Sequence, residues 1–410
     1  MSLQRDPALL RGRMNECEVL EAEVHAARSG DSRTMVLRGE AGIGKTALLD
    51  YVATQSSECL VVRAVGIEQF APGHDRGSSH GESRIIRLGY FEHPSYVPLL
   101  RRAYELWREL EARSAAKLLH ITGIAEIGPP NGEVVSGTLA AARLHGLPHE
   151  VMDAAETMRR FPAFKIPADY AGVFQPDGGF VAVEPALAAM LAQAQAAGAE
   201  IRTSTSVLSV APHGQGVRIR TNQGDIDARS AIVAAGPWVR KLLPDLPAPL
   251  RVTRQVKAWF EPRDRAPFAD GRFPVFLLES QHGVHYGFPP FARGAVNVAK
   301  HHHSDETADP DSYDRTVSAQ DEALIRAAVA DHIPTANGAL NSAQTCLYTV
   351  TPDRDFIIDR LPGADNIIVA SPCSGHGFKF APVVGEILAE LTLDGGTRHD
   401  ISRFRLSRFV

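Results

Sequence analysis

Glycine-rich turns that pass an apolar run into a helix lie at both ends of this chain. That pairing constrains the fold more than any other feature. Near the N-terminus, TMVLRG (34–39) reads as a buried strand, GEAGIGKT (39–46) as a glycine loop and KTALLDYVATQ as a helix, with the Val-rich run CLVVRAVGIE (59–68) after it. Near the C-terminus, NIIVASPCSGHGFKFAPVVGEILAELTL (366–393) repeats strand, glycine turn and helix. Apolar strands joined through helices form a parallel sheet covered on both faces. Between these ends, RVTRQVKAWFE, FPVFLLES, GVHYGFP and AVNVAKH (within 251–301) alternate more, which predicts an antiparallel sheet with one wet face. The expected architecture is α/β: a discontinuous nucleotide-binding domain with a second sheet domain inserted into it.

Apolar residues at helical spacing predict helices over 16–29, 98–115, 184–200 (ended by Gly198) and 318–333. Segments around 199–236 read as strands, with Asn222 to Gly224 as a hairpin turn. APGHDRGSSHGESR (71–84) is polar, glycine-rich and aperiodic, and a loop of that length in a compact domain is usually functional or disordered.

Charge narrows the partners. Lys and Arg number 43 against 48 Asp and Glu, a net charge of −5, which gives no sign of nucleic acid or an anionic membrane. No apolar run reaches the ~18 residues of a membrane span. The opening MSLQRDPALLRGR lacks the apolar core of a secretory signal. The four cysteines (Cys17, Cys59, Cys346, Cys373) form no CxxC and suggest neither a disulfide framework nor a metal cluster. A reducing, cytoplasmic setting is expected. The triple His301-His302-His303 does not suggest metal, because adjacent residues in a strand face opposite sides.

Two patterns overlap at the first glycine loop. Gly39 to Thr46 fits GxxxxGK[ST], whose amides cradle phosphate at a helix N-terminus with Lys45 as point charge and Thr46 on Mg²⁺. No acidic metal partner on a following strand accompanies it. Gly42, Gly44 and Ala47 fit GxGxxA, the dinucleotide form, with Glu68 at the end of the next strand where an acid would hold a ribose hydroxyl. The stretch from about Leu10 to Glu68 (RGRMNECEVLEAEV, LRGEAGIGKTALL) resembles the opening of the ATPase module of LuxR-type transcriptional regulators.

From about residue 67 to about 405 the chain resembles a different family. GIEQFAPGHDRGSSHGESRIIRLGYFEHPSYVPLLRRAYELW, HYGFPPF, CLYTVTPDRDFIIDRLP and SGHGFKFAPVVGE are similar to monomeric sarcosine oxidase and N-methyltryptophan oxidase. The resemblance implies a D-amino-acid-oxidase-like fold: an FAD-binding Rossmann-like domain from 1–105, 170–250 and 345–410, and a substrate domain from 106–169 and 251–344. It implies FAD bound covalently through Cys346, and oxidation of a secondary or N-methyl amino acid by a monomer using O₂. Arg87 and Lys379 match the residues that hold the substrate carboxylate. Arg84, His80, Tyr286 and His301 match active-site positions beside flavin and substrate, and Ser78, Gly375, His376, Gly377, Phe378 and Lys379 lie in flavin-contacting motifs. An arginine fork suits a carboxylate and lysine adds a point charge. If SRIIR is helical, Arg84 and Arg87 share a face. Gly375 and Gly377 let backbone approach the ring, and a helix beginning near Ala381 directs its dipole there. Cys373 reads as a packing residue. Phe260, Phe273 and Phe276 either line the substrate pocket or fill the core.

Two positions depart from that family. The loop holding Gly42, Gly44 and Lys45 stands where the family has GxGxxG. Either a chimeric start weakens FAD binding, or the substituted loop still presents amides, with Lys45 near the pyrophosphate. The alternatives to an oxidoreductase are accordingly an ATP-binding regulatory fragment and a fusion that has lost FAD. Asn297 stands where the family carries a lysine that assists reaction with O₂, and Lys300, three residues on, faces the other way in a strand. Slow reaction with oxygen, or another electron acceptor, is the expectation.

Overall fold

The computed structural model describes residues 13–29, 35, 47–49, 51–52, 62–304 and 306–410. They divide into two compact units, Met1–Val65 with Gly198–Glu200, and Gly66–Ala197 with Ile201–Val410. In the first unit Met14–Arg28 is a helix that buries Leu20, and residues 47–49 and 51–52 are helical. The glycine loop with Gly42, Gly44, Lys45 and Thr46 lies outside the described residues, as do Cys59 and all of TMVLRG except Met35.

The second unit is organised by an eight-stranded sheet. Its order is Leu340–Val350, Arg251–Phe260, Val296–Lys300, Gly283–Phe288, Val275–Ser280, Ile124–Gly128, Ala171–Gln175 and Glu150–Asp153. All neighbours are antiparallel except Val275–Ser280 with Ile124–Gly128. A smaller sheet pairs Ala231–Val233 with Ala364–Ser371 in parallel, and another sets Gly179–Ala182 between Ser83–Ile86 and Leu119–Ile121.

Paired residues share a face, and faces alternate along a strand. Phe260 pairs with Val296, and Phe276 with Gly287. Phe260, Phe273 and Phe276 belong to a buried cluster with Ile325 and Val329 of the Ala319–His332 helix. These three rings therefore fill the core. The opposite face carries Lys257, Trp259 and Cys346, also buried. The expected wet face is absent here, because the segment before Ser83 covers it.

The Val97–Ser114 helix packs on Ala381–Leu393 through Leu100, Ala103 and Trp107 against Ile387 and Leu391, with Tyr96, Phe356 and Phe380 below. These helices hold the ends of the two segments that reach the site, 83–92 and 371–380.

One expectation is corrected. SRIIR holds the strand Ser83–Ile86, so Arg84 and Arg87 diverge instead of sharing a helical face. Leu340–Val350 runs unbroken through residue 345, the expected start of the last FAD-binding segment. Ala171–Gln175 belongs to the large sheet, whereas Leu119–Ile121 pairs with Gly179–Ala182 outside it. The predicted helices 98–115, 184–200 and 318–333 are observed as Val97–Ser114, Val183–Ala196 and Ala319–His332.

Candidate active site

Sheet register brings the first group together. Gln255 pairs with Cys346, Lys257 with Gln344 and Ala299, and Ala299 with Tyr286. Cys346, Lys257 and Tyr286 consequently share one face. Cys346 is a free thiol, 3% exposed. The Tyr286 and Tyr348 hydroxyls are 3.5 Å apart, and the His301 ring lies against both.

The polar segment 71–82 is held across this face. Ser78 Oγ donates to the Leu347 carbonyl at 2.6 Å, tying the segment to the residue beside Cys346. Arg84 donates to the carbonyls of Ser78, His80 and Ser83 at 2.8–2.9 Å. Its charge is thus spent on positioning the loop, close to the Phe378 ring. The buried His80 keeps Nε2 without a partner. Burial, Lys257 and Arg84 push its pKa down to about 3, so the imidazole is neutral at pH 7.

A second group surrounds Tyr90. Arg87 lies 4.3 Å and Lys379 Nζ 5.1 Å from the Tyr90 ring centre. Arg87 is buried, bonded to Glu92 at 2.7 and 3.0 Å and to the Gly89 carbonyl, with Glu126 at 3.6 Å. Glu126 sits on the same sheet face as Tyr286, because both pair with Leu277. One of its oxygens accepts from Gln175 and the other has no hydrogen-bond partner. Burial raises its pKa to about 7 despite Arg87. Lys379 donates to the His376 carbonyl at 2.7 Å and, among the described residues, has no carboxylate within ion-pair distance. Burial and Arg87 push it down to about 7. A cavity of about 320 Å³ opens beside this group, bordered by Phe91, Glu92, Val284, His301, Arg354 and His376.

The SGHG turn closes the site. Gly375 has φ +86° against the Tyr348 ring, and a Cβ at Gly377 would meet the Pro372 carbonyl oxygen at 1.5 Å. Only glycine fits either position. His376 has both ring nitrogens engaged, Nδ1 with the Tyr90 hydroxyl at 2.6 Å and Nε2 with the Arg354 carbonyl at 3.0 Å. Its side chain therefore braces the turn, and what it offers a cofactor is backbone. Phe378 begins a 3₁₀ turn that runs into the Ala381–Leu393 helix.

Of the predicted site residues, Cys346, Ser78, His80, Arg84 and Tyr286 converge on one face, while Arg87, Lys379 and His376 gather around Tyr90. His301 borders the second group's cavity. Asn297 is on the Cys346 side of the sheet but is tied to backbone, Nδ2 donating to the Ala258 carbonyl at 3.0 Å. Glu68 follows the short strand Val65–Ile67, and its carboxylate accepts the Phe70 amide. Sequence reasoning missed Lys257, Glu92 and Glu126. A signal existed for two of them: a charge inside an otherwise strand-like apolar run, in RVTRQVKAWFE and GIAEIG.

The residues present fit a flavin. A buried free thiol, a glycine turn no Cβ could occupy, an unpartnered His80 Nε2 and several buried cations suit a planar, electron-accepting ring beside a bound carboxylate. Cys346, Ser78, the 375–378 backbone and Lys257 would border that ring.

Comparison with known proteins points the same way. Residues 60–391 match the family described as FAD dependent oxidoreductase. Monomeric sarcosine oxidase of Bacillus sp. (strain NS-129) is 38% identical over 363 residues, covering 87% of this chain and 92% of that protein. N-methyl-L-tryptophan oxidase of Salmonella typhi is 34% identical over 376 residues, covering 92% and 98%. Among solved structures, the open form of NikD, an amino acid oxidase essential for nikkomycin biosynthesis, aligns with TM-score 0.73 and 27% identity over 84% of this chain and 91% of its own. L-proline dehydrogenase from P. horikoshii aligns with TM-score 0.73 at 21% identity, over 85% and 91%, a likeness of fold.

Proposed function

The chain belongs to the FAD-dependent oxidoreductase family, and from that premise we propose that it oxidises a secondary or N-methyl amino acid of the sarcosine type to an imine. The imine then hydrolyses, giving glycine and formaldehyde when sarcosine is the substrate. The observation that carries this reading is the pair of buried cations, Arg87 and Lys379, both against the Tyr90 ring, beside a cavity bordered by His301.

Bound FAD would supply the acceptor for one hydride, that is two electrons with one proton, chemistry no side chain here can perform. The chain supplies position and charge. Arg87 exchanges Glu92 for the substrate carboxylate, and Lys379 adds the second cation. Tyr286, with its hydroxyl pushed up to about 12, and His301, pushed far down by burial, stay neutral at pH 7. The wall around the amine is therefore uncharged, and the amine's neutral, reactive form is not opposed by a proton-donating cation. Cys346, a buried free thiol, would hold the cofactor covalently through its sulfur. The electrons pass to O₂ with release of H₂O₂.

Relatives and a family match that span most of the chain favour this reading over an ATP-binding regulatory fragment. Among the described residues no helix is long and apolar enough to cross a membrane. A monomer in the cytoplasm, acting on a small amino acid, suits these features.

The test is an absorbance spectrum of the purified protein. Flavin absorbance that bleaches when sarcosine or N-methyltryptophan is added without air supports the proposal. Colourless protein that stays colourless when FAD is supplied would mean a fusion that has lost its cofactor.

A further inference from the structure

Lys257 is 3% exposed, and among the described residues its ammonium has no carboxylate within ion-pair distance. The contact Nζ makes is with the His80 carbonyl, at a long 3.5 Å. Its nearest acid, Glu82, is taken by Arg293 at 3.0 Å and the Trp259 indole at 3.2 Å. Two more buried polar atoms at the same place lack partners, His80 Nε2 and Gln344 Oε1. Lys257 and Gln344 meet at Gly81, the residue after His80, where a Cβ would stand 2.7 Å from Lys257 Nζ and 3.6 Å from Gln344 Oε1. Two segments thus leave a buried polar atom unsatisfied around an ammonium held by one long bond, at a cost proteins rarely accept without a guest.

The sheet register says what the guest is near. Lys257 is the diagonal neighbour of Cys346, and Trp259, two residues on, pairs with Asn297. The positive charge missing at 297 is therefore present one strand away, on the same face, beside Arg84 and His80.

Resting on the flavin reading above, we infer that the Lys257 ammonium is the cation that receives dioxygen in this chain. The reduced flavin gives up two electrons, and with two protons O₂ becomes H₂O₂ while the flavin returns to its oxidised form. The first electron to arrive creates an anion, and a fixed cation in a dry site stabilises that anion without reorganisation. Lys257 belongs to the Cys346 group and not to the group around Arg87 and Lys379, so its charge weighs more on this step than on amine oxidation.

The groups facing Lys257 are Arg84, Arg293, Glu82, His80 and Cys346. Burial and Arg84 push its pKa down to about 7, partly opposed by Cys346 and Glu82. The reoxidation rate constant should fall as pH rises above neutrality, as the ammonium loses its proton.

The experiment uses flavin-loaded protein and stopped flow. Lys257→Met should slow reoxidation by O₂ by about 100-fold, a larger loss than it brings to anaerobic reduction by substrate. Adding Asn297→Lys to that variant should recover at least about tenfold of the loss. Sulfite, an anion that adds to oxidised flavin, should bind Lys257→Met at least about tenfold more weakly, a readout independent of turnover. Unchanged reoxidation and unchanged sulfite affinity in a variant that holds flavin would overturn the inference. So would a wild-type reoxidation rate that is flat from pH 6 to 9, which needs no variant to fold. If no N-methyl amino acid reduces the flavin, the functional reading fails instead, and the sulfite titration still decides whether Lys257 faces the ring.

Discussion

Arg87 holds Glu92 with one terminal nitrogen, 2.7 and 3.0 Å from the two carboxylate oxygens, in the buried place we propose for the substrate carboxylate. On that proposal Glu92 occupies the guanidinium until substrate replaces it. Its pKa is lowered, with Arg87 the main opposing influence to burial, so it is ionised at neutral pH. The exchange of one carboxylate for another keeps the buried guanidinium paired throughout, which avoids the cost of an isolated buried charge.

Replacing Arg87 by Lys keeps the charge and removes the fork. KM for the amino acid should rise about 100-fold, about 3 kcal/mol of lost binding, with kcat changed much less. Steady-state kinetics check this. A drop confined to kcat would show that Arg87 acts on the chemical step instead of on binding.

Cys346 is the described buried free thiol nearest Lys257 and Tyr286. In the wild type the flavin should stay with the pellet after acid precipitation. In Cys346→Ser it should move to the supernatant while the folded protein still absorbs as a flavoprotein. Flavin released equally from both would remove the covalent link and leave the rest of the site intact.

Glu126 ties stability to pH. Its folded pKa is raised to about 7 from an ordinary 4.5. Both states are protonated below 4.5, so no penalty exists there. Between 4.5 and 7 the unfolded chain loses the proton first, and stability falls as pH rises through that window. The full penalty, on the order of 3 kcal/mol at most, applies above it. Urea titrations at pH 5 and 7.5 should show a smaller loss for Glu126→Gln than for the wild type. Equal losses would mean that Arg87 keeps this carboxylate ionised throughout.

Much of this site was legible, and the rest was hidden for identifiable reasons. The motif around Cys346 and the strand-turn-helix of SGHGFKF are local, so chain order alone places them. Arg84 and Arg87 were readable as residues but not as directions, because five residues of SRIIR fit a helix or a strand equally well. Lys257 depends on pairing with Gln344, 87 positions away, and Glu92 on the way Tyr90 folds back beneath Arg87. The choice between lining and core for Phe260 and Phe276 likewise needed the register, since one slip exchanges the two faces.

Gly377 tests the turn. A methyl group there would lie 1.5 Å from the Pro372 carbonyl oxygen, a backbone atom that cannot step aside cheaply. Gly377→Ala should give protein that is poorly folded or fails to retain flavin, whereas Gly385→Ala, whose added Cβ meets nothing within 4 Å, should behave as wild type. Soluble expression and bound flavin measured side by side separate the two. A fully loaded Gly377→Ala would show that the turn relaxes.

Lys379 should make carboxylate binding depend on pH. Burial is the largest influence on it, Arg87 and Arg84 act in the same direction, and Glu92 opposes them, which leaves its pKa at about 7. Below that value the ammonium is present and attracts a carboxylate; above it the neutral amine does not. A bound carboxylate must itself raise the lysine's pKa, so affinity should weaken by up to about tenfold per pH unit from 7 until the bound-state value is reached. Acetate, which the flavin cannot oxidise, isolates this effect from ionisation of the substrate amine. Titrated against the flavin spectrum from pH 6 to 9, it should show a Kd that climbs with pH in the wild type and climbs less steeply in Lys379→Met, where Glu126 still titrates beside Arg87. A wild-type Kd that is itself flat would mean the ammonium persists, and that its bond to the His376 carbonyl at 2.7 Å outweighs desolvation.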